Sequence, residues 1–234
     1  MRRWLREIGW VWKRAKLVAK DDDPQRVTRL ARIRWVFEQL KPSEAIVCAD
    51  ELAIHLLPKV GCAWMPKGIY VEVMTPGQHE KHYLAGALDP ITGTMHYCLG
   101  ARKTTALFRD LLGILEERYP AEPYTQLSVV VDNDKIHNAR AVEPWWATHL
   151  RVTLLYLSTD CPRAHPIECV FGDVHDCCAR NHQRKRLPRL VAEVEEHLRL
   201  NGPWKYKLSD LSYEPAVTIR VERIAAEEQA QVAA

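Results

Sequence analysis

The chain reads as an α/β fold with a mixed sheet flanked by helices, and three stretches carry that expectation. Ser128-Val129-Val130-Val131-Asp132-Asn133 sets three consecutive valines against turn formers, the pattern of a strand buried on both faces. Asp89-Pro90-Ile91-Thr92-Gly93 is a hairpin turn between two short apolar runs, so the strands on either side should be antiparallel. Residues 104–119 place Leu107, Phe108, Leu111, Leu112, Ile114 and Leu115 on one side and Arg109, Asp110, Glu116 and Glu117 on the other. That is an amphipathic crossover helix leading into the valine strand. Strands first and crossover helices later make the sheet mixed.

Taken in order, residues 1–19 carry Trp4, Leu5, Ile8, Val11 and Trp12 at near-helical spacing with basic residues between them, a basic helix and arm. Asp21-Asp22-Asp23-Pro24 breaks the pattern as a linker, and a helix over about 25–40 ends before Lys41-Pro42. A strand then runs from Glu44 and ends at Asp50. An irregular piece follows with Pro58, Gly61, Pro66 and Gly68, then a short strand near 70–74 and one over 82–88. Past the hairpin turn, 94–99 returns antiparallel. The central strand ends at Asp132, a helix around 139–149 is strained by Pro144, and 152–157 makes the fifth strand of a five-stranded sheet, not counting the short piece near 70–74. Trp145 and Trp146 are core candidates. His165-Pro166-Ile167-Glu168 opens a helix with proline in its first turn, which puts Glu168 back toward the strand ends. A basic cluster, Arg180, Arg184, Lys185, Arg186 and Arg189, precedes a last helix near 190–200. The organisation expected is a basic arm, linker and helix over 1–43, a catalytic domain over 44–210 and a C-terminal tail over 211–234.

Composition bounds the function. A chain of 234 residues, 47% hydrophobic, can fill one sizeable α/β core. No apolar run approaches the roughly 18 residues of a membrane span, and the start lacks the apolar stretch of a signal peptide, so the expected setting is cytoplasmic, with no membrane partner. Seven cysteines, an odd number scattered through apolar segments, read as reduced thiols. The net charge of +3 is unevenly spread: residues 1–20 hold seven Lys and Arg against Glu7, a net +6, and the other 214 residues sum to −3. A concentrated positive arm ahead of a mildly acidic domain suits a polyanion.

Asp50 and Asp132 at strand ends and Glu168 on a helix form an oxygen-only donor set, suited to Mg²⁺ or Mn²⁺ and poorly suited to zinc. Two such ions about 3.5–4 Å apart support displacement at a phosphodiester, so phosphoryl transfer on nucleic acid is the reaction class. Cys161, Cys169, His175, Cys177, Cys178 and His182 offer a zinc-binding alternative, but their spacing lacks a pair-of-pairs pattern.

Val47-Cys48-Ala49-Asp50-Glu51, then Val130-Val131-Asp132-Asn133 with His137, then Pro166-Ile167-Glu168 with Phe171-Gly172, together resemble the catalytic signature of mariner-like DDE transposases of bacterial insertion sequences. Thirty-five residues separate Asp132 from Glu168, close to the family spacing, and His79-Glu80-Lys81 matches a further family segment. His165 stands where the family usually has Asn, and Val174-His175-Asp176 where a lysine is common. The resemblance covers about 40–200. It implies a ribonuclease-H-like fold, Asp50, Asp132 and Glu168 as catalytic metal ligands for Mg²⁺ or Mn²⁺, and cleavage of transposon ends with strand transfer into target DNA. The partners expected are double-stranded DNA, both terminal inverted repeats and target, and a second copy of the chain in a homodimer on DNA, in the bacterial nucleoid. Candidate DNA contacts are Arg2, Arg3, Arg6, Lys13, Arg14, Lys16, Arg184, Lys185 and Arg186. Because the family begins with helix-turn-helix modules and only residues 1–20 precede the linker, an N-terminal truncation is expected. The alternative readings are an inactive remnant that keeps the fold and binds DNA weakly, and another nuclease on the same fold.

Overall fold

A computed structural model describes Trp4, Glu7 and residues 23–62, 64–69, 72–137, 143–158 and 165–204. Five strands form one sheet in the order β3-β2-β1-β4-β5: β1 Glu44–His55, β2 Lys81–Leu88, β3 Met95–Gly100, β4 Gln126–Val131 and β5 Val152–Tyr156. β1 is antiparallel to β2 and parallel to β4, and β4 is parallel to β5, which makes the sheet mixed. The helices are α1 Arg26–Glu38, α2 Thr105–Arg118, α3 Glu143–Thr148, α4 Ile167–Val174 and α5 Leu187–Asn201. A π-helical turn, His175–Ala179, extends α4.

Alternation along the central strands decides what covers each face. Ala45, Val47 and Ala49 of β1 and Leu127, Val129 and Val131 of β4 pack against Leu107, Phe108, Leu111, Leu112 and Leu115 of α2. The opposite parity, Ile46, Cys48 and Val130 with Leu155, packs against Leu30, Ile33 and Phe37 of α1. Farther along the same face, Ile54, Leu84 and Leu88 meet Ile167, Val170 and Phe171 of α4 and Leu190, Val191 and Val194 of α5. Trp145 and Trp146 are partly buried against the α2 cluster, as expected of core residues.

Local chemistry explains the boundaries. Thr104 caps α2 by accepting from the Leu107 amide. In the hairpin, Asp89 Oδ1 accepts the Ile91 and Thr92 amides at 2.8 and 3.1 Å, and Gly93 takes φ +74°, which a β-carbon disfavours.

Two expectations about the strands need correction. β1 does not end at Asp50 but runs on to His55, because β2 goes on pairing with it, through Asp50 beside Gly86 to His55 beside Lys81, after β4 has stopped. Asp50 is therefore a mid-strand residue. No strand forms over Glu72–Met74; that stretch is irregular, and Met74 is exposed, so its apolar residues have no sheet edge to join. Residues 70 and 71, the expected helical start at 139–142 and the tail beyond 204 lie outside the described residues.

Candidate active site

Asp50 interrupts the row Ile46, Cys48, Leu52, Ile54, and so sits where the α1 cluster gives way to the α4 and α5 cluster. The parallel register sets Cys48 beside Val130, and two residues farther on the chain reaches Asp50 and Asp132. Glu168 is exposed in the first turn of α4, whose Ile167 and Val170 are anchored on β2.

The electrostatics tie the three carboxylates together. Burial, and the charges of Glu51, Asp132 and Glu168, push the Asp50 carboxyl up to about 7, although its Oδ1 accepts the Glu51 amide at 2.7 Å. Glu168 is also raised, by burial and by Asp132. Asp132 goes the other way: burial alone would raise it, but His137, the Asp134 amide and Lys103 outweigh burial and hold it at about 2. One ionised carboxylate beside two that resist ionisation is a site short of positive charge. Its donors are oxygens alone, so it fits a hard divalent cation. Among the described residues, the one set of three His, Cys, Asp or Glu side chains with ligand atoms all within 4.8 Å is Asp173, Cys177 and His197, so the three carboxylates are set farther apart than that.

Behind Asp132 lies a network the sequence reading left without a role. His137 Nδ1 is 3.0 Å from Asp132 Oδ1, and its Nε2 is 3.3 Å from Glu51 Oε1. Lys103 Nζ lies 3.2 Å from Glu51 Oε2 and 2.8 Å from Asp134 Oδ2. Burial would lower the His137 pKa, but its two carboxylate partners raise it to about 9. Glu51 and His137 stood in the quoted segments; Lys103, in the β3–α2 connection, had no signal at all.

His165, which stands where the family usually has Asn, does not cap α4, whose start has no side-chain cap. Its ring is instead buried, with Nδ1 3.8 Å from Asp50 Oδ2, and burial lowers its pKa to about 4, so it stands neutral beside Asp50. Arg29 of α1 pins that helix to the far side of the site, donating to Asn133 Oδ1 at 3.0 Å and to the Leu157 carbonyl at 3.1 Å.

Of the candidate DNA contacts, Arg2, Arg3, Arg6, Lys13, Arg14 and Lys16 lie outside the described residues. Arg184, Lys185 and Arg186 line an open cleft of about 730 Å³ with Gln183, Pro188 and Arg189. Arg184 is partly committed there, its Nε lying 2.7 Å from both carboxylate oxygens of Glu193. Of the zinc alternative, only Cys177 belongs to the Asp173 set. Among the described residues no helix is long and apolar enough to cross a membrane.

Comparison with known proteins agrees with this architecture. The family model described as DDE superfamily endonuclease matches residues 45–191. An insertion element IS630 protein of Shigella sonnei, described as an uncharacterized 39 kDa protein, is 32% identical over 204 residues, which is 87% of this chain and 59% of that protein. The chain thus spans about three fifths of the curated relative it matches. Among solved structures, the Mos1 mariner paired-end complex with Mg superposes with a TM-score of 0.67 at 17% identity, covering 95% of this chain and 68% of that one. The catalytic domain of Mos1 mariner transposase gives 0.53 at 16% identity, covering 88% and 94%. The fold is accordingly the ribonuclease-H-like fold of that catalytic domain. Because the matched stretch runs through Asp50, Asp132 and Glu168 and takes in more than half of the residues, the chain belongs to the DDE superfamily endonucleases.

Proposed function

We propose that residues 44–210 are the catalytic domain of a DNA transposase that cleaves transposon ends and joins them to target DNA, with Asp50, Asp132 and Glu168 as its catalytic metal ligands. The observation that carries this reading is the parallel register of β1 and β4, which leads to Asp50 and Asp132 two residues beyond its last rung, together with the raised carboxyls of Asp50 and Glu168, where burial and then the neighbouring carboxylates disfavour ionisation. The solved relatives support Mg²⁺ or Mn²⁺ as the ion, since Mos1 paired-end complexes are known with each.

When bound, a divalent ion supplies Lewis-acid polarisation at the phosphodiester and offsets the charge that develops there. The chain's own residues do the rest. Asp50 enters from mid-strand, held by the pairing of β1 with β2, where Gly86 stands beside it. Asp132 is kept ionised by His137, ready to ligate without first losing a proton. Glu168 is exposed in the first turn of α4, where an incoming duplex could reach it. Lys185, Arg186 and the arginines and lysines of residues 1–16 would meet phosphates, which position a duplex without reading its sequence. The partners are double-stranded DNA, as transposon end and target, and a second copy of the chain on that DNA; the setting is the bacterial cytoplasm.

The test is nicking of a duplex carrying the cognate transposon end. Cleavage that needs Mg²⁺ or Mn²⁺ and disappears in Asp132→Asn supports the proposal. Equal cleavage by wild type and variant would reject it.

A further inference from the structure

We propose that Glu51, His137 and Lys103 form a positioning layer that locks the Asp132 carboxylate, tying Oδ1 to the protein and leaving Oδ2 for the divalent ion. The inference rests on the reading of Asp132 as a metal ligand and adds the residues that aim it.

Asp132 needs such support. It stands one residue beyond β4, and its side chain is 43% exposed, so the strand ladder does not hold it. Two groups converge on the same oxygen: the Asp134 amide donates to Oδ1 at 2.9 Å and His137 Nδ1 lies 3.0 Å from it, the same nitrogen also lying 3.2 Å from the Asp132 carbonyl oxygen. His137 is itself fixed. Its side chain has no exposed surface, its ring lies 4.5 Å from that of Phe108 on α2, and its other nitrogen is 3.3 Å from Glu51 Oε1. Each ring nitrogen of His137 thus faces an acceptor oxygen, which fixes the orientation of the ring.

Glu51 in turn is almost wholly buried, on the strand position next to Asp50 and pointing to the α2 face. Its second oxygen meets Lys103, which also bonds Asp134, and Asp134 donates its amide to Asp132. The circuit closes through Asp132, His137, Glu51, Lys103 and Asp134. Breaking any link frees the carboxylate to rotate. Partners of this kind behind a metal ligand are worth about ten- to a hundredfold in metal affinity.

The experiment titrates Mn²⁺ into the full chain by calorimetry, with unfolding in urea measured alongside, for wild type, His137→Gln, Lys103→Met, Lys103→Arg and Asp132→Asn. Lys103 is half-buried at the edge of the circuit, so its variants keep the test valid if His137→Gln does not fold. The proposal expects His137→Gln and Lys103→Met to weaken Mn²⁺ binding about ten- to a hundredfold. Lys103→Arg should restore most of the loss, and excess Mn²⁺ should recover nicking by Lys103→Met. A folded Lys103→Met that binds Mn²⁺ as wild type does, while Asp132→Asn does not, overturns the positioning role and leaves Asp132 a ligand. Wild-type affinity in Asp132→Asn overturns the ligand reading itself, and the positioning role with it.

Discussion

Asp50 on β1 and Asp132, one residue past the end of β4, each lie two residues beyond the rung that pairs Cys48 with Val130, yet their carboxyls shift in opposite directions. Burial raises both carboxyls, but His137, the Asp134 amide and Lys103 compensate Asp132, whereas Asp50 faces a neutral His165 and two further carboxylates. The asymmetry gives the site a pH dependence.

Asp50 titrates near 7 in the fold and near 3.9 in an unfolded chain. A raised carboxyl contributes stability that is fully present below about pH 4 and is lost as pH rises through about 7. A divalent ion reverses that loss by pairing with the ionised form. The thermal shift produced by Mg²⁺ should therefore be small at pH 5 and grow toward pH 8, and apparent affinity should fall about tenfold per unit below pH 7 for one displaced proton. Melting curves with and without Mg²⁺ across that range check it; a shift independent of pH would contradict it.

Gly93 and Gly113 should respond to the same substitution with opposite signs. At Gly93 a β-carbon would sit 2.3 Å from the Trp204 carbonyl oxygen on a backbone at φ +74°, so Gly93→Ala should cost about 1–3 kcal/mol. Inside α2, a β-carbon on Gly113 meets nothing within 4 Å, so Gly113→Ala should stabilise by about 0.5–1 kcal/mol. Urea midpoints at unchanged slope measure both.

Salt dependence of DNA binding should separate the basic residues. Lys185 and Arg186 form no ion pair with a described residue, so Lys185→Ala and Arg186→Ala should each flatten the slope of log affinity against log salt by about 1. Arg184→Ala should change it less, because its guanidinium is shared with Glu193 on a partly exposed surface. Deleting residues 1–20, with their net +6, should flatten the slope by several units. Binding isotherms on one duplex over a salt series decide.

Much of this was legible from spacing. The valine run, the Asp89–Gly93 turn and the stripe on α2 each declare their element locally, and all three formed where expected. The end of β1 was not legible, because whether a strand stops at Asp50 depends on a partner, β2, about 30 residues away. The same holds for His165: as the residue before Pro166 it reads as a helix cap, and only tertiary packing turns its ring toward Asp50. The three carboxylates stand out in the sequence by residue type and motif, whereas the layer behind Asp132 does not. Lys103 is one lysine among many until the fold carries it to Glu51 and Asp134.

The most direct test of the central claim is to titrate Mn²⁺ into wild type and into Asp50→Asn, Asp132→Asn and Glu168→Gln, and to assay the same four proteins for Mn²⁺-dependent nicking. If the three carboxylates share the ion, each variant should fold, bind Mn²⁺ at least about tenfold more weakly, and nick roughly a thousandfold more slowly, equivalent to about 4 kcal/mol of barrier. A folded variant at any of the three positions that keeps both wild-type affinity and wild-type nicking would contradict it.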